Sequence, residues 1–176
     1  MTLPAPSGTP YRVGFVCLGN ICRSPMADVI LSDLVEGAGL TARVEVTSCG
    51  TGTWHLGEPM DPRAAAQLSG AGYDPSEHRA KAFTPEWLTY DLLLAMDEKN
   101  LAEIMSGITS GITPGTRRDS VRLFRSFDPL APADPGPGDL DVPDPWFGGD
   151  EGFVEVIGMV ERTCRSLLGE LQTLDL

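Results

Sequence analysis

A chain that passes from an apolar strand into a tight polar loop and straight into a helix has few folds open to it. Val13-Gly14-Phe15-Val16 is the apolar run, residues 17 to 23 read Cys-Leu-Gly-Asn-Ile-Cys-Arg, and Ser24-Pro25 opens the helix. Ser24 has the hydroxyl of an N-cap, and a proline suits the first helical position. Met26, Ile30 and Leu34 then recur at four-residue spacing until Gly37 and Gly39 stop the helix. A strand-loop-helix junction of this kind turns successive backbone N–H groups inward, under the positive end of the helix dipole, and so forms an anion cradle without any metal. The same field favours the thiolate of a cysteine at the loop's mouth, here Cys17.

Four segments read as short buried strands: 12–16, 43–47, 91–96 and 120–124. Helix patterns lie between them, which predicts an α/β chain with a mainly parallel sheet. Asp61-Pro62 and Thr84-Pro85 repeat the helix-start signal. Phe153, Ile157, Val160, Cys164, Leu167 and Leu171 recur at i+3 or i+4, so a long amphipathic helix should close the domain with Cys164 on its apolar stripe. Residues 128–150 break the pattern with six prolines and six aspartates and read as one long loop. At its end, Asp144-Pro145-Trp146-Phe147 sets two large aromatics beside an acid, a costly arrangement to leave in water without a purpose.

With 176 residues the chain suits a single globular domain over 11–176, preceded by a flexible tail over 1–10. A net charge of −12 argues against nucleic-acid binding, which needs a basic face. No apolar run approaches the roughly 20 residues that span a bilayer, and the first ten residues lack the basic and apolar regions of a signal peptide. A cytoplasmic location is expected, with export by a signal-less route the alternative. Four cysteines, Cys17, Cys22, Cys49 and Cys164, are too few for a disulfide framework. The spacing of Cys17 and Cys22, without a second paired motif, gives weak support for zinc.

The chemistry follows from the Cys-x5-Arg spacing. Leu18, Gly19, Asn20, Ile21 and Cys22 supply backbone donors around a tetrahedral oxyanion, and Arg23 can clamp two of its oxygens. Gly19 permits close backbone approach, and Asn20 tolerates a left-handed conformation. A hydrogen bond from Ser24 to Cys17 would favour the thiolate. The loop lacks Gly-Lys-Ser/Thr and is not a nucleotide-binding loop. Attack by Cys17 on phosphorus would give a phosphocysteine, and the leaving oxygen would need a proton from a carboxylic acid elsewhere. Asp144 is the best candidate, with Trp146 and Phe147 lowering the polarity around it. His55 is a substrate contact or an exposed loop residue, and Asp97 a helix N-cap or a loop-bracing carboxylate, with the cap preferred. A reversible Cys17–Cys22 disulfide is a further candidate, against a plain buried thiol at Cys22.

Cys17 to Pro25 joined to Asp144-Pro-Trp-Phe147 resembles the low-molecular-weight protein tyrosine phosphatase family, above all its bacterial members. Similar segments include Thr47 to Trp54, Asp74 to Ala80, and Ala95 to Asn100. The resemblance implies a four-stranded parallel sheet in order 2-1-3-4 with helices on both faces. It implies Cys17 as nucleophile, Arg23 as phosphate clamp and Asp144 as general acid. It also implies that Ser48 and His78 brace Asn20, that Trp54, Trp146 and Phe147 wall the cleft, and that no metal or cofactor is needed. The expected substrates are phosphotyrosine proteins made by a tyrosine kinase counterpart, and the expected state is a monomer. The same scaffold leaves three alternatives: arsenate reductase, phosphoarginine phosphatase and a non-catalytic phosphate-binding regulator. Ile21 favours an aromatic substrate over phosphoarginine. Arsenate reduction needs a resolving cysteine pair, and Cys49 and Cys164 lie far apart in the sequence.

Overall fold

The computed structural model describes residues 2–109 and 118–175. Strands β1 (Tyr11–Cys17), β2 (Val44–Gly50), β3 (Leu92–Ala95) and β4 (Val121–Leu123) form one parallel sheet in the order β2-β1-β3-β4. Helices α1 (Arg23–Gly37), α2 (Pro62–Gly70), α3 (Glu98–Thr109) and α4 (Asp150–Leu171) connect and close it. The strands agree with the expected ones to within a few residues: Ser120 and Phe124 belong to the 3-10 turns that flank β4.

The pleat of β1 sorts the core. Val13 and Phe15 face a cluster with Met26 and Ile30 of α1, Leu68 of α2, and Phe153 and Val160 of α4. Phe15 meets Phe124 edge to face, with ring centroids 5.3 Å apart. Val16 faces the other cluster, with Cys49, Trp87, Leu93 and Ile104 of α3. Helices therefore cover both faces, as parallel strands buried on both sides require. Gly14 is glycine for space, because a Cβ there would lie 2.8 Å from Leu93 Cδ2. Cys164 and Cys49 are fully buried in different clusters, so neither is placed to resolve the other.

Part of the segment expected to be a flexible tail is docked on the domain. Leu3 is buried with the first cluster, Tyr11 Oη donates to the Pro4 carbonyl at 3.2 Å, and Ser7 N–H donates to Asp91 at 2.7 Å. Asp91 also accepts from Arg12 N–H at 2.8 Å, so one carboxylate secures both the segment and the start of β1. Met1 lies outside the described residues.

The long loop after β4 is anchored where it begins. Asp128 is buried and accepts from Arg162 Nε and Nη2 of α4 at 2.7 and 2.8 Å, from Arg125 Nε at 3.2 Å and from Leu130 N–H at 3.0 Å. Burial alone would push its carboxyl up, but the bonds from Arg162, Leu130 and Arg125 hold it at about 2. A carboxylate held at about 2 instead of the ordinary ~3.9 contributes about 2 kcal/mol. Because the folded value is depressed, this contribution is present in full above the ordinary carboxylate range and fades as pH falls towards 2. Asp128→Asn should therefore lose about 2 kcal/mol in urea unfolding at pH 7, and the gap from wild type should narrow between about pH 5 and pH 3.

Candidate active site

The strand ends at the carboxyl edge of the sheet bring the site together, the usual place for a ligand in an open parallel sheet. Cys17 closes β1, and the loop after it turns back over its own sulfur: Asn20 N–H donates to Cys17 Sγ at 3.2 Å and Ser24 Oγ donates at 2.9 Å. Ser24 is thus not the N-cap that its position before Pro25 predicts. The helix begins two residues earlier, at Arg23, and Cys22 at the N-cap makes no side-chain cap bond. The hydroxyl is drawn to the sulfur, since a buried hydroxyl must bond to whatever is in reach.

Asn20 is left-handed at φ 54° and fully buried. Its Nδ2 donates to Ser24 Oγ and Ser48 Oγ, both at 2.9 Å, and its Oδ1 accepts from Lys81 N–H at 2.8 Å. His78 Nε2 sits 2.8 Å from the Asn20 carbonyl and donates to it. Burial pushes the His78 imidazole down, with the Asn20 bond opposing, which keeps it a neutral donor. Ser48 Oγ donates its own hydrogen bond to Asp28 at 2.8 Å, and burial pushes the Asp28 carboxyl up.

Arg23 is 4% exposed, and its Nη1 donates to Asp97 at 2.6 Å and to the Val142 carbonyl at 3.3 Å, while Nη2 meets Asp144 at 3.1 Å. Burial opposes its charge, but Cys17, Asp144 and Asp97 outweigh burial and raise it. Asp97 does both things weighed for it, because its other oxygen accepts from Asn100 N–H at 2.7 Å at the start of α3. Asp144 is less sheltered than expected: its side chain is 37% exposed, and Phe147 at 92% exposure covers little of it. Its surroundings are set by Arg23 rather than by an apolar pocket.

These groups line a cleft of about 190 Å³ with Cys17 and Arg23 in its floor and Trp54, Trp146, Phe147 and Asp144 around its mouth. Leu18, Gly19, Ile21, Cys22 and His55 complete the lining. Burial, then Asp61 and Cys17, push the Cys22 thiol up, so it stays protonated at neutral pH.

The model of low molecular weight phosphotyrosine protein phosphatases matches residues 12–175. The chain belongs to that family. A low molecular weight protein-tyrosine-phosphatase of Streptomyces coelicolor is 46% identical over 165 residues, 92% of this chain and 94% of the relative. The crystal structure of YfkJ from Bacillus subtilis superposes with a TM-score of 0.79 at 30% identity, covering 94% of this chain and 97% of the other. That of DARP, a Drosophila arginine phosphatase, gives a TM-score of 0.79 at 28% identity over 93% of this chain and 99% of the other.

Within this phosphatase-family site, two contributors went unassigned in the sequence, Arg63 and Gly50, and a third, His55, reads there as either a substrate contact or an exposed loop residue. His55 lines the cleft and is bound to Glu58 at 2.6 Å. Arg63 lies with its guanidinium carbon 5.6 Å from the centre of the Trp146 ring. Gly50, at the end of β2, carries the phosphate loop on its backbone: a Cβ there would come 2.6 Å from the Leu18 carbonyl oxygen and 3.0 Å from Asn20 N. Thr51 and Gly52 N–H groups bond the Cys17 and Leu18 carbonyls at 2.9 and 2.8 Å, so the contact is backbone on backbone. Proximity of that kind leaves no signal in a single sequence except the glycine itself. Gly50→Ala should cost about 1–3 kcal/mol in thermal or urea unfolding by forcing two main chains apart. It should also weaken inhibition by inorganic vanadate at least about tenfold, since roughly 1.4 kcal/mol lost from the cradle is a factor of ten.

Proposed function

We propose that this protein hydrolyses phosphotyrosine in protein substrates through a phosphocysteine intermediate. The observation that carries the reading is the sulfur of Cys17, bonded by Asn20 N–H and Ser24 Oγ on the floor of a cleft whose mouth presents Asp144 beside Arg23. Two donors aimed at one sulfur favour the anion, which is the nucleophile.

Cys17 Sγ attacks phosphorus in line with the aryl oxygen, and the P–O bond breaks. Asp144 in its protonated form gives its proton to the departing phenolate. The phosphate loop N–H groups and Arg23 hold the charge of the three equatorial oxygens, and the bonds of Asn20 and Asp97 already orient them before substrate arrives, which is where their advantage lies. Asp144, now a carboxylate, takes a proton from water; that water attacks phosphorus, the S–P bond breaks, and inorganic phosphate leaves. Arg23 needs no new charge for this, because Asp97 already orients it. Trp54, Trp146 and Phe147 offer ring faces for an aryl group, and buried Ile21 gives the cleft an apolar wall. That wall favours phosphotyrosine over phosphoarginine, which the fold also accommodates in a neighbour named for it.

The chemistry requires neither metal nor cofactor. We place the enzyme in the cytoplasm, as a monomer opposite a tyrosine kinase, since four unbridged cysteines, one of them the nucleophile, suit a reducing compartment.

Phosphate release from p-nitrophenyl phosphate, a phosphotyrosyl peptide and a phosphoarginyl peptide, all with EDTA present, tests the reading. The first two should be turned over and the third poorly, Cys17→Ser should be inactive, and Asp144→Ala should lose about 10²-fold or more with phenyl phosphate. Activity retained by Cys17→Ser, or removed by EDTA, would sink the mechanism; preference for the phosphoarginyl peptide would move the substrate.

A further inference from the structure

Arg63 is the one guanidinium besides Arg23 that the described residues place against the acid's turn. It stands in the first turn of α2 and is chelated by the cap of that helix. Asp61 Oδ1 accepts from Arg63 N–H at 2.8 Å and from Nε at 3.1 Å, and Asp61 Oδ2 accepts from Nη2 at 3.0 Å. The guanidinium so fixed spreads over two rings of another segment, with its carbon 4.6 Å from the Phe153 centroid and 5.6 Å from that of Trp146. Nη1 points to the Gly148 carbonyl at 3.4 Å. A helix cap alone explains the bonds to Asp61. It does not explain a guanidinium placed over the Trp146 ring at 5.6 Å with an N–H aimed at Gly148, on a segment that begins more than eighty residues further on.

Both ends of this connection reach the reaction. On one side Asp61 N–H donates to the carbonyl of Ile21, inside the phosphate loop, at 2.8 Å. On the other, Trp146 N–H donates to Asp144 Oδ1 at 3.1 Å, in the short turn Pro145–Phe147 that Asp144 caps. Trp146 also meets the His55 ring at 5.9 Å, and Glu58 holds His55. The Trp146 ring is thus gripped while its backbone orients the carboxyl.

We propose that Arg63 is a positioning residue for Asp144: chelated by Asp61, it grips the Trp146 ring and holds the acid at a set distance from the loop that carries Cys17. The proposal rests on Asp144 as general acid. Its effect is confined to steps in which Asp144 moves a proton, and it does not touch substrate. A misplacement on the order of 1 Å is enough to cost about 10²-fold in such a step.

The test compares kcat/KM for phenyl phosphate, whose leaving group needs the proton, with 2,4-dinitrophenyl phosphate, whose leaving group departs without it. Arg63→Ala should lower the first about 10- to 100-fold and the second less than about 3-fold, with thermal melting confirming the fold. Arg63→Lys, which keeps the charge facing Asp61 and loses the flat fork, should fall between wild type and Arg63→Ala on phenyl phosphate. In an Asp144→Ala background the Arg63→Ala substitution should change phenyl phosphate turnover less than about 2-fold. Equal losses on both esters, no loss on either, or an undiminished effect without Asp144 would each overturn the proposal. Acrylamide quenching in a Trp54→Phe protein, where buried Trp87 is shielded, reads the grip without any turnover. Arg63→Ala should raise quenching of Trp146, and unchanged quenching overturns the grip. If wild type hydrolysed neither ester, the proposed activity would fall, while the quenching result would still decide on the contact.

Discussion

One buried amide organises this site. The Asn20 side chain has two N–H donors and one acceptor oxygen, and each is used: two hydroxyls, Ser24 and Ser48, and the Lys81 N–H. Its main chain adds the N–H on Cys17 and the carbonyl under His78. Left-handed backbone costs a non-glycine residue roughly 1–2 kcal/mol, and only a surrounding that over-determines it keeps it there. Here the determination comes from β2, from the 78–81 segment and from α1 at once, so the loop's shape depends on three elements of the fold and not on its own sequence. Burial keeps His78 neutral and raises Asp28, and every polar group of the Asn20 side chain has a partner.

Charge sits instead around Arg23. A chain with a net charge of −12 repels a phosphate dianion at long range, so recognition has to be local. The loop's N–H groups supply it without formal charge, and Arg23 supplies the single buried cation within the cleft. A guanidinium this buried needs partners, and Asp97 and Asp144 provide them from two segments. Asp97 is fixed by its second duty at the start of α3, whereas Asp144 sits on a loop and is more than a third exposed. The more exposed of the two acids is thus the one to which the proposed mechanism gives the proton transfer.

Much of this was legible in the sequence, for reasons tied to locality. The Cys17 to Pro25 stretch announces strand, loop and helix because each residue's preference acts within a few positions. The helix start at Asp61-Pro62 and the α4 stripe were readable for the same reason, and the Asp61 side chain does accept from Arg63 N–H. Sheet order came only with the family resemblance, since the pairing of β1 with both β2 and β3 is a property of the whole fold. Local signals failed where a distant group outbid them. Ser24 looked like a cap and bonds the sulfur instead; the aromatics after Asp144 looked like its shelter, and one of them lies almost fully in solvent. The segment before β1 reads as plain polar tail, and Asp91 captures it from eighty residues away.

The loop that carries the acid shows why such long-range ties matter to the chemistry. Residues 128–144 have few apolar side chains to bury, and a loop of that length closes at modest entropic cost but has no reason to stop at one place. Besides the bonds of Glu98 to Asp141 and Gly138 and of Arg125 to the Asp139 and Asp141 carbonyls, three ties set its path. Asp128 binds α4 through Arg162, Val142 N–H donates to the Met96 carbonyl at the end of β3 at 2.7 Å, and the Trp146 ring meets Arg63. The first two fix where the loop leaves the sheet; they do not fix the rotation of the turn at Asp144. In the proposed mechanism the Asp144 carboxyl faces a phenolic oxygen and then a water, which needs that rotation set while its own bond to Arg23 is free to break. A tie placed on the neighbouring ring, rather than on the carboxyl, satisfies both demands, and Arg63 and His55 both meet the Trp146 ring.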